Sequence, residues 1–546
     1  MQRFAIAPLP FALAALAACG GGDGPSRPEP TGGAVRTETV YITQATQTRD
    51  GSVPLVAGRD GYLRVFLVAD QAGTPAPSVR VQLFHGDVLR ETVTIPAPAA
   101  TVPTTVNQGE LAASWNLKLQ GSLIQPGLRV QVQPDASGAA ATTQAMNVTV
   151  LAPLRIRFVP ITQQENGLTG RVSEANKNDF LTLVRKLHPV ATIDADVRAP
   201  LSIRFLELDP QGNTWQTTVS ELDAIRVAEG TGRYYYGVVQ TPYPGGGVVG
   251  IAAGIPSRTS LGWDRAGDAA ETVAHEIGHN WGRRHSPCGG AGGPDPAYPY
   301  PLGMIGVVGM DVETGELKSP PAHTDIMGYC DANFWISDYT YTGVFNYRAA
   351  NDRAASVAPQ PALLVWGRIV DGTVVLEPAF QVTTRPSLPG SAGPYTVEGT
   401  DAAGGVLFSL SFDGDRIPDV PGDRRHFAFA VPLDAGKMER LAAIRVVGTG
   451  AEARTRAPAG AVLARRASLS LRAEPRATVA RTDANRLAVR WDAAAFPMVM
   501  VRDARTGDIL SLARGGAAEV RASGDVELVV SDGVRSSTRR VAAGGL

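Results

Sequence analysis

The run His275-Glu276-Ile277-Gly278-His279-Asn280-Trp281-Gly282-Arg283-Arg284-His285 constrains this chain more than any other stretch. At about 100° per residue, a helix puts His275 and His279 on one face a turn apart, with Glu276 at their flank. Two imidazoles leave a metal site incomplete. Gly282 can end the helix in the left-handed conformation that penalises other residues, turning the chain so that His285 returns to the same point. Three histidines then hold Zn2+ and leave a fourth position open, where the metal brings the pKa of a bound water to about 7. Glu276 is not a ligand in this arrangement but reaches that water as a proton acceptor.

The spacing predicts a helix starting at Asp268, with Asp268 and Glu271 in the positions of a capping box. Ala270, Val273, Ala274, Ile277 and Trp281 fall on the side opposite the two histidines, so one face can be buried while the ligands look into a cleft.

The motif resembles that of the metzincin zinc peptidases, which place a methionine turn beneath the three histidines. Asp325-Ile326-Met327-Gly328-Tyr329 resembles that turn. On its own Met327 would be a gap-filling core residue. The resemblance covers roughly Leu154 to Asn351 and implies a zinc endopeptidase acting on extracellular proteins or glycoproteins. It gives Tyr329 a place near the metal, as an extra ligand or a hydrogen-bond donor to the tetrahedral intermediate; a packed tyrosine is the alternative. It also implies that an edge strand ahead of the motif helix pairs with substrate as an extended strand. Within the superfamily the layout and His-Glu-x-Gly-His-Asn are similar to bacterial mucin-cleaving peptidases.

After Arg3 an apolar run from Phe4 to Ala18 ends in Leu16-Ala17-Ala18-Cys19, too short for a comfortable membrane span. That tetrapeptide resembles a bacterial lipobox, which implies a lipid anchor on Cys19 and an address at the outer membrane or cell surface; secretion with cleavage nearby is the alternative. The other two cysteines, Cys288 and Cys330, flank the motif and the methionine turn, and in an oxidising compartment they are expected to pair. Two free buried thiols are the alternative.

At 546 residues the chain is too long for one domain, and 19% charged with 44% hydrophobic residues is ordinary for a soluble globular protein. A formal net charge of -1 offers no basic field for nucleic acid, and Arg465 and Arg466 read as solvated strand edges. The expected fold class is multidomain: an α/β (α+β) metzincin-like unit flanked by all-β sandwich-like domains. Residues 1–18 read as the signal peptide, 19–34 as a tether rich in Gly and Pro, 35–153 as an N-terminal β-sandwich and 154–356 as the catalytic unit. Residues 357–457 and 458–546 read as two further β domains. Inside the catalytic unit, strands are expected over Leu154–Pro160, Tyr234–Gln240 and Val248–Ile255, and helices over Asn178–Leu187, Ser220–Ala228 and Trp335–Ala350. Gly289–Pro301 reads as a loop over the cleft, and Asp371-Gly372 as a hairpin turn.

Asp413, Asp415, Asp419 and Asp423 crowd one segment without the spacing of an EF-hand loop, and a solvated turn is the favoured reading over calcium. His85, His188 and His426 read as surface or packing residues, while His323, four residues before Met327, is a candidate proton donor in the cleft. The overall expectation is a surface-anchored zinc peptidase; an adhesive or carbohydrate-binding lipoprotein with a vestigial peptidase core is the competing one.

Overall fold

A computed structural model describes residues 33–203, 207–330, 333–352, 357–448, 450–456 and 477–542. The signal segment, Cys19, Arg465, Arg466 and the expected boundary near residue 457 lie outside the described residues. The protein is multidomain and β-rich, with 42% strand against 15% helix. No helix among the described residues is long and apolar enough to cross a membrane.

The motif sits in a central mixed sheet. Leu154–Gln163 runs parallel to Ile193–Val197 on one side and to Tyr234–Val239 on the other. Thr259–Trp263 continues the parallel order, and Gly250–Ala252 closes the sheet as an antiparallel edge strand. Side chains alternate across a strand. Tyr234, Tyr236 and Val238 therefore meet Val273 and Ile277 of the motif helix, and Trp281 just past its end, on one face. Tyr235 and Val239 meet Trp215 and Leu222 of the helix Asn213–Glu229 on the other.

That second helix is longer than the expected Ser220–Ala228. It starts at Asn213, after Gly212 in the left-handed region at φ 89°. Its pattern is hard to read because both faces are covered: strands Gln360–Val370 and Arg424–Pro432 pack on its outer side. Two of the buried hydroxyls are satisfied locally, Thr218 Oγ1 donating to Thr214 O at 2.9 Å and Ser220 Oγ to Gln216 O at 2.7 Å. The expected helix over Trp335–Ala350 instead spans Asp338–Asn351, because Ser337 caps it by accepting from Thr340 N at 3.0 Å. Trp335 belongs to the short strand Phe334–Trp335. The segment over Asn178–Leu187 is a 3-10 turn, Asp179–Leu181, followed by the helix Thr182–Leu187.

Before this unit lie two larger sheets, one of Val35–Thr43, Gly61–Ala69 and Trp115–Leu119, the other built on Val79–His85 and Leu128–Pro134, enclosing Trp115, Leu63, Val81 and Val130. After it come two more pairs of sheets with cores around Phe412 and Leu528. The hairpin at Asp371-Gly372 forms as expected, pairing Val370 with Thr373.

Candidate metal centre

The motif helix spans Ala269–Asn280. It begins where expected, but Asp268 makes no side-chain cap; its carboxylate lies 3.3 Å from Arg265, and Ala269 N instead donates to Arg265 O at 2.9 Å. At the other end Gly282 takes φ 79°. Gly282 N donates to His279 O and Arg283 N to Gly278 O, at 2.9 and 3.0 Å, which are the two bonds of a Schellman stop. The turn sends the chain back toward its own helix, and His285 arrives beside His279.

The three ring systems converge. His279 Nε2 stands 3.1 Å from His275 Nε2 and 3.2 Å from His285 Nε2. Each ring is held from behind by a backbone carbonyl: Nδ1 of His275 against Ile326 O at 2.8 Å, of His279 against Arg283 O at 2.6 Å, and of His285 against Gly292 O at 2.6 Å. A carbonyl only accepts, so each Nδ1 carries the proton and each Nε2 of a neutral ring presents a lone pair. Lone pairs at such separations repel unless a cation sits between them. Burial lowers the pKa of His275 and takes His279 to about 3, which keeps both neutral and able to ligate.

A fourth donor comes from a part of the chain that the motif gives no hint of. Asp419 Oδ1 lies 2.8 Å from His285 Nε2, and Oδ2 lies 3.5 Å from His279 Nε2. Burial works against its charge, but His279 and His285 outweigh it and hold the carboxyl well below the usual range, as an anion. Burial also lowers His285, yet Asp419 more than offsets this and leaves it raised. Two buried oxygens, Asp419 Oδ2 and Glu276 Oε2, find no hydrogen-bond partner among the described residues. Three imidazole nitrogens and one carboxylate, with their ligand atoms within 4.8 Å of one another, can hold a metal ion. The solvated turn expected for the aspartates is therefore wrong for Asp419, whose side chain is only 6% exposed because it folds into this site. It is right for Asp413 and Asp423, which are about half exposed and pair with Arg425.

Glu276 is buried beside the edge strand, its Oε1 only 2.5 Å from where a Cβ on Gly250 would stand. Glycine at 250 makes room for the carboxyl. Burial, with Asp419 adding to it, pushes Glu276 well above the ordinary carboxylate range. Gly278 answers a similar demand from below. A Cβ there would meet Met327 Sδ at 2.3 Å, so glycine lets the methionine pass under the helix. Met327 is fully buried, and its carbonyl accepts from Ser286 N at 2.9 Å. Asp325, the first residue of this turn, holds it: its carboxylate accepts from Met327 N at 2.8 Å and Ser337 N at 2.9 Å.

Tyr329 comes to the site as expected, its ring 4.9 Å from that of His285 and 5.7 Å from that of His275, and its hydroxyl donates to Asp419 Oδ1. Cys288 and Cys330 are bonded, with Cα atoms 5.4 Å apart, and pin the segment after His285 to the turn. The loop after Gly289 lines the cleft through Gly292, Gly293 and Pro294. The cleft has a volume of 1290 Å³ and is bounded by His285, Tyr329 and Asp419.

His323 is not brought in: its Nδ1 pairs with Ser319 O at 3.0 Å in an exposed turn. His85 pairs with Leu123 O at 2.9 Å, His188 is buried with Nε2 donating to Ala274 O at 2.8 Å, and His426 is buried 4.0 Å from Asp223.

No family model matches the chain, and no curated protein matches it. Solved structures with some likeness include a Parabacteroides merdae β-glucuronidase, 10% identical over 93% of this chain and 78% of that one, at a TM-score of 0.15. A Bacteroides uniformis β-glucuronidase is 10% identical over 94% and 77%, at 0.14. A mutant Salmonella alpha-2-macroglobulin is 10% identical over 92% and 30%, at 0.16. Likenesses of this size carry no argument about fold or function.

Proposed function

We propose that this protein is a zinc-dependent endopeptidase of the metzincin type, anchored at the cell surface through Cys19 and acting on extracellular proteins or glycoproteins. The observation that carries the reading is the convergence of three Nε2 atoms, each ring oriented by a backbone carbonyl, beside a glutamate that ligates nothing. Zinc bound there supplies Lewis acidity and acidifies water to a pKa of about 7.

The chain's own residues do the rest. Glu276 holds the proton taken from the attacking water and passes it to the leaving amine. Tyr329 presents its hydroxyl to the charge that develops on the scissile carbonyl oxygen. The edge strand Gly250–Ala252 pairs with an extended peptide and sets it across the histidines. Asn280 keeps the helix in register with that sheet, donating to Ser257 Oγ at 2.7 Å and Thr259 O at 3.1 Å.

Glu276→Gln separates proton transfer from metal holding. The variant should keep its metal and lose about 10² to 10⁴ in peptide cleavage. Cleavage at the wild-type rate would refute the role of Glu276, and absence of any metal-dependent cleavage across a peptide library, by the wild type and by an Asp419→Ala variant that frees the fourth position, would refute the peptidase reading.

A further inference from the structure

A catalytic metal keeps one position open, whereas here all four donors belong to the chain. The fourth arrives from a different region, on the loop between the short strand Asp415–Arg416 and the strand Arg424–Pro432. The base of this loop is closed by Ile417 N donating to Arg424 O at 2.9 Å. Ile417 is buried in the same core as the helix Asn213–Glu229. Farther along, Val420 Cγ1 lies 2.8 Å from where a Cβ on Gly212 would stand, beside Val248, and Arg424 Nη2 donates to Asn213 Oδ1 at 3.4 Å. Between these anchors Asp419 takes φ 65°, a left-handed backbone that aspartate tolerates better than most residues. The conformation turns its carboxylate onto the histidines.

The loop also reaches the ground a substrate would need. Asp415 Cβ stands 2.9 Å from the place of a Gly254 Cβ, just past the edge strand, and Val420 and Val248, the latter just before that strand, both crowd the place of a Gly212 Cβ. The Tyr329 hydroxyl is engaged by the same Asp419 carboxylate.

Resting on the peptidase reading above, we propose that residues 417–423 form an internal cap: Asp419 occupies the metal position that substrate and water require, and the protein folds into a latent form that opens when this loop is displaced. The cap differs from a lid of general bulk, because one carboxylate lies against the histidine nitrogens at the metal position and also engages Tyr329.

The test uses full-length cobalt(II)-loaded protein and acetohydroxamate, a small bidentate metal binder, followed by visible absorption. Asp419→Ala should bind the probe at least about tenfold more tightly than the wild type, because the wild type spends most of its time capped. Asp419→Asn, which keeps the loop conformation, should fall between the two, and it decides the matter if Asp419→Ala fails to fold. Equal affinity in wild type and both variants would overturn the cap. So would loss of cobalt from both folded variants, which would make Asp419 part of a closed structural site. Peptide cleavage is read separately. Probe binding that opens as expected with no cleavage by any variant leaves the cap standing and removes the peptidase reading; equal cleavage by wild type and Asp419→Ala does the reverse.

Discussion

The N-terminal β region keeps its own core around Trp115 and, besides a few polar points, lends only Ala45 and Val53 to the core beneath the motif helix, whereas the strands from Gln360 onward share a core with the central unit along their length. On the N-terminal side the Arg59 guanidinium donates to His188 O, to Arg185 O at 3.0 Å and to Lys186 O at 2.7 Å, closing the end of the helix Thr182–Leu187. Trp335 Nε1 reaches Ala45 O at 2.8 Å. On the C-terminal side Trp366, Phe380 and Ala430 lie in one cluster with Trp215 and Leu222, and the Asp419 loop continues from that shared core to the histidines. A region joined through polar points and two small apolar side chains can change with little movement of the candidate metal site. A region that shares the core cannot.

Two tryptophans expose this difference most strongly. Trp115 and Trp366 are both fully buried, and each indole donates to a proline carbonyl, Pro77 O at 2.9 Å and Pro378 O at 3.1 Å. Replacing either with alanine should cost about 3–5 kcal/mol in stability. Metal release to a chromogenic chelator should quicken for Trp366→Ala and stay unchanged for Trp115→Ala; equal release from both would break the comparison.

A smaller effect is expected at the disulfide. Cys288 and Cys330 close a loop across 42 residues of sequence, and a Cys288→Ser/Cys330→Ser pair should lose about 2–4 kcal/mol in thermal or denaturant unfolding. The loss should come with faster metal release, because Gly292 O, which orients His285, lies just past Cys288.

The two joints should also titrate in opposite directions. Burial holds His188, at the N-terminal joint, down at about 3 from an ordinary 6.5. The unfolded chain takes up a proton that the folded chain refuses, so this group removes stability as pH falls from 6.5 toward 3. At the C-terminal joint burial raises Glu221 from 4.5 to about 7, with Arg514 opposing and Glu377 adding. Here the unfolded chain loses its proton first, and stability falls as pH rises from 4.5 to 7. His188→Gln should flatten the acid arm and Glu221→Gln the neutral one, each by on the order of 2 kcal/mol in pH-resolved melting. A shared slope in both variants would show that the joints are not distinct.

The candidate metal centre is legible where its logic is local. The His275, His279, Gly282 and His285 spacing follows from helix geometry and one left-handed glycine, and the structure brings those residues together as the spacing requires. Tyr329 and the cysteine pair were legible through their place after the motif. Asp419 was visible only as one of four aspartates, because sequence spacing carries no information on which of them returns to a site more than a hundred residues earlier. The helix Asn213–Glu229 was half seen for a related reason: the C-terminal strands bury its outer face, which erases the amphipathic period. Asp268 shows the opposite failure, a capping pattern whose side chain turns to Arg265 instead.

Metal content under native mass spectrometry tests the central claim most directly. Wild type and Glu276→Gln should each carry about one zinc per chain, and His279→Ala, which removes the nitrogen shared by both short contacts, should carry none. A His279→Ala protein that stays folded and retains one zinc per chain would contradict the assignment of the three histidines as the metal centre.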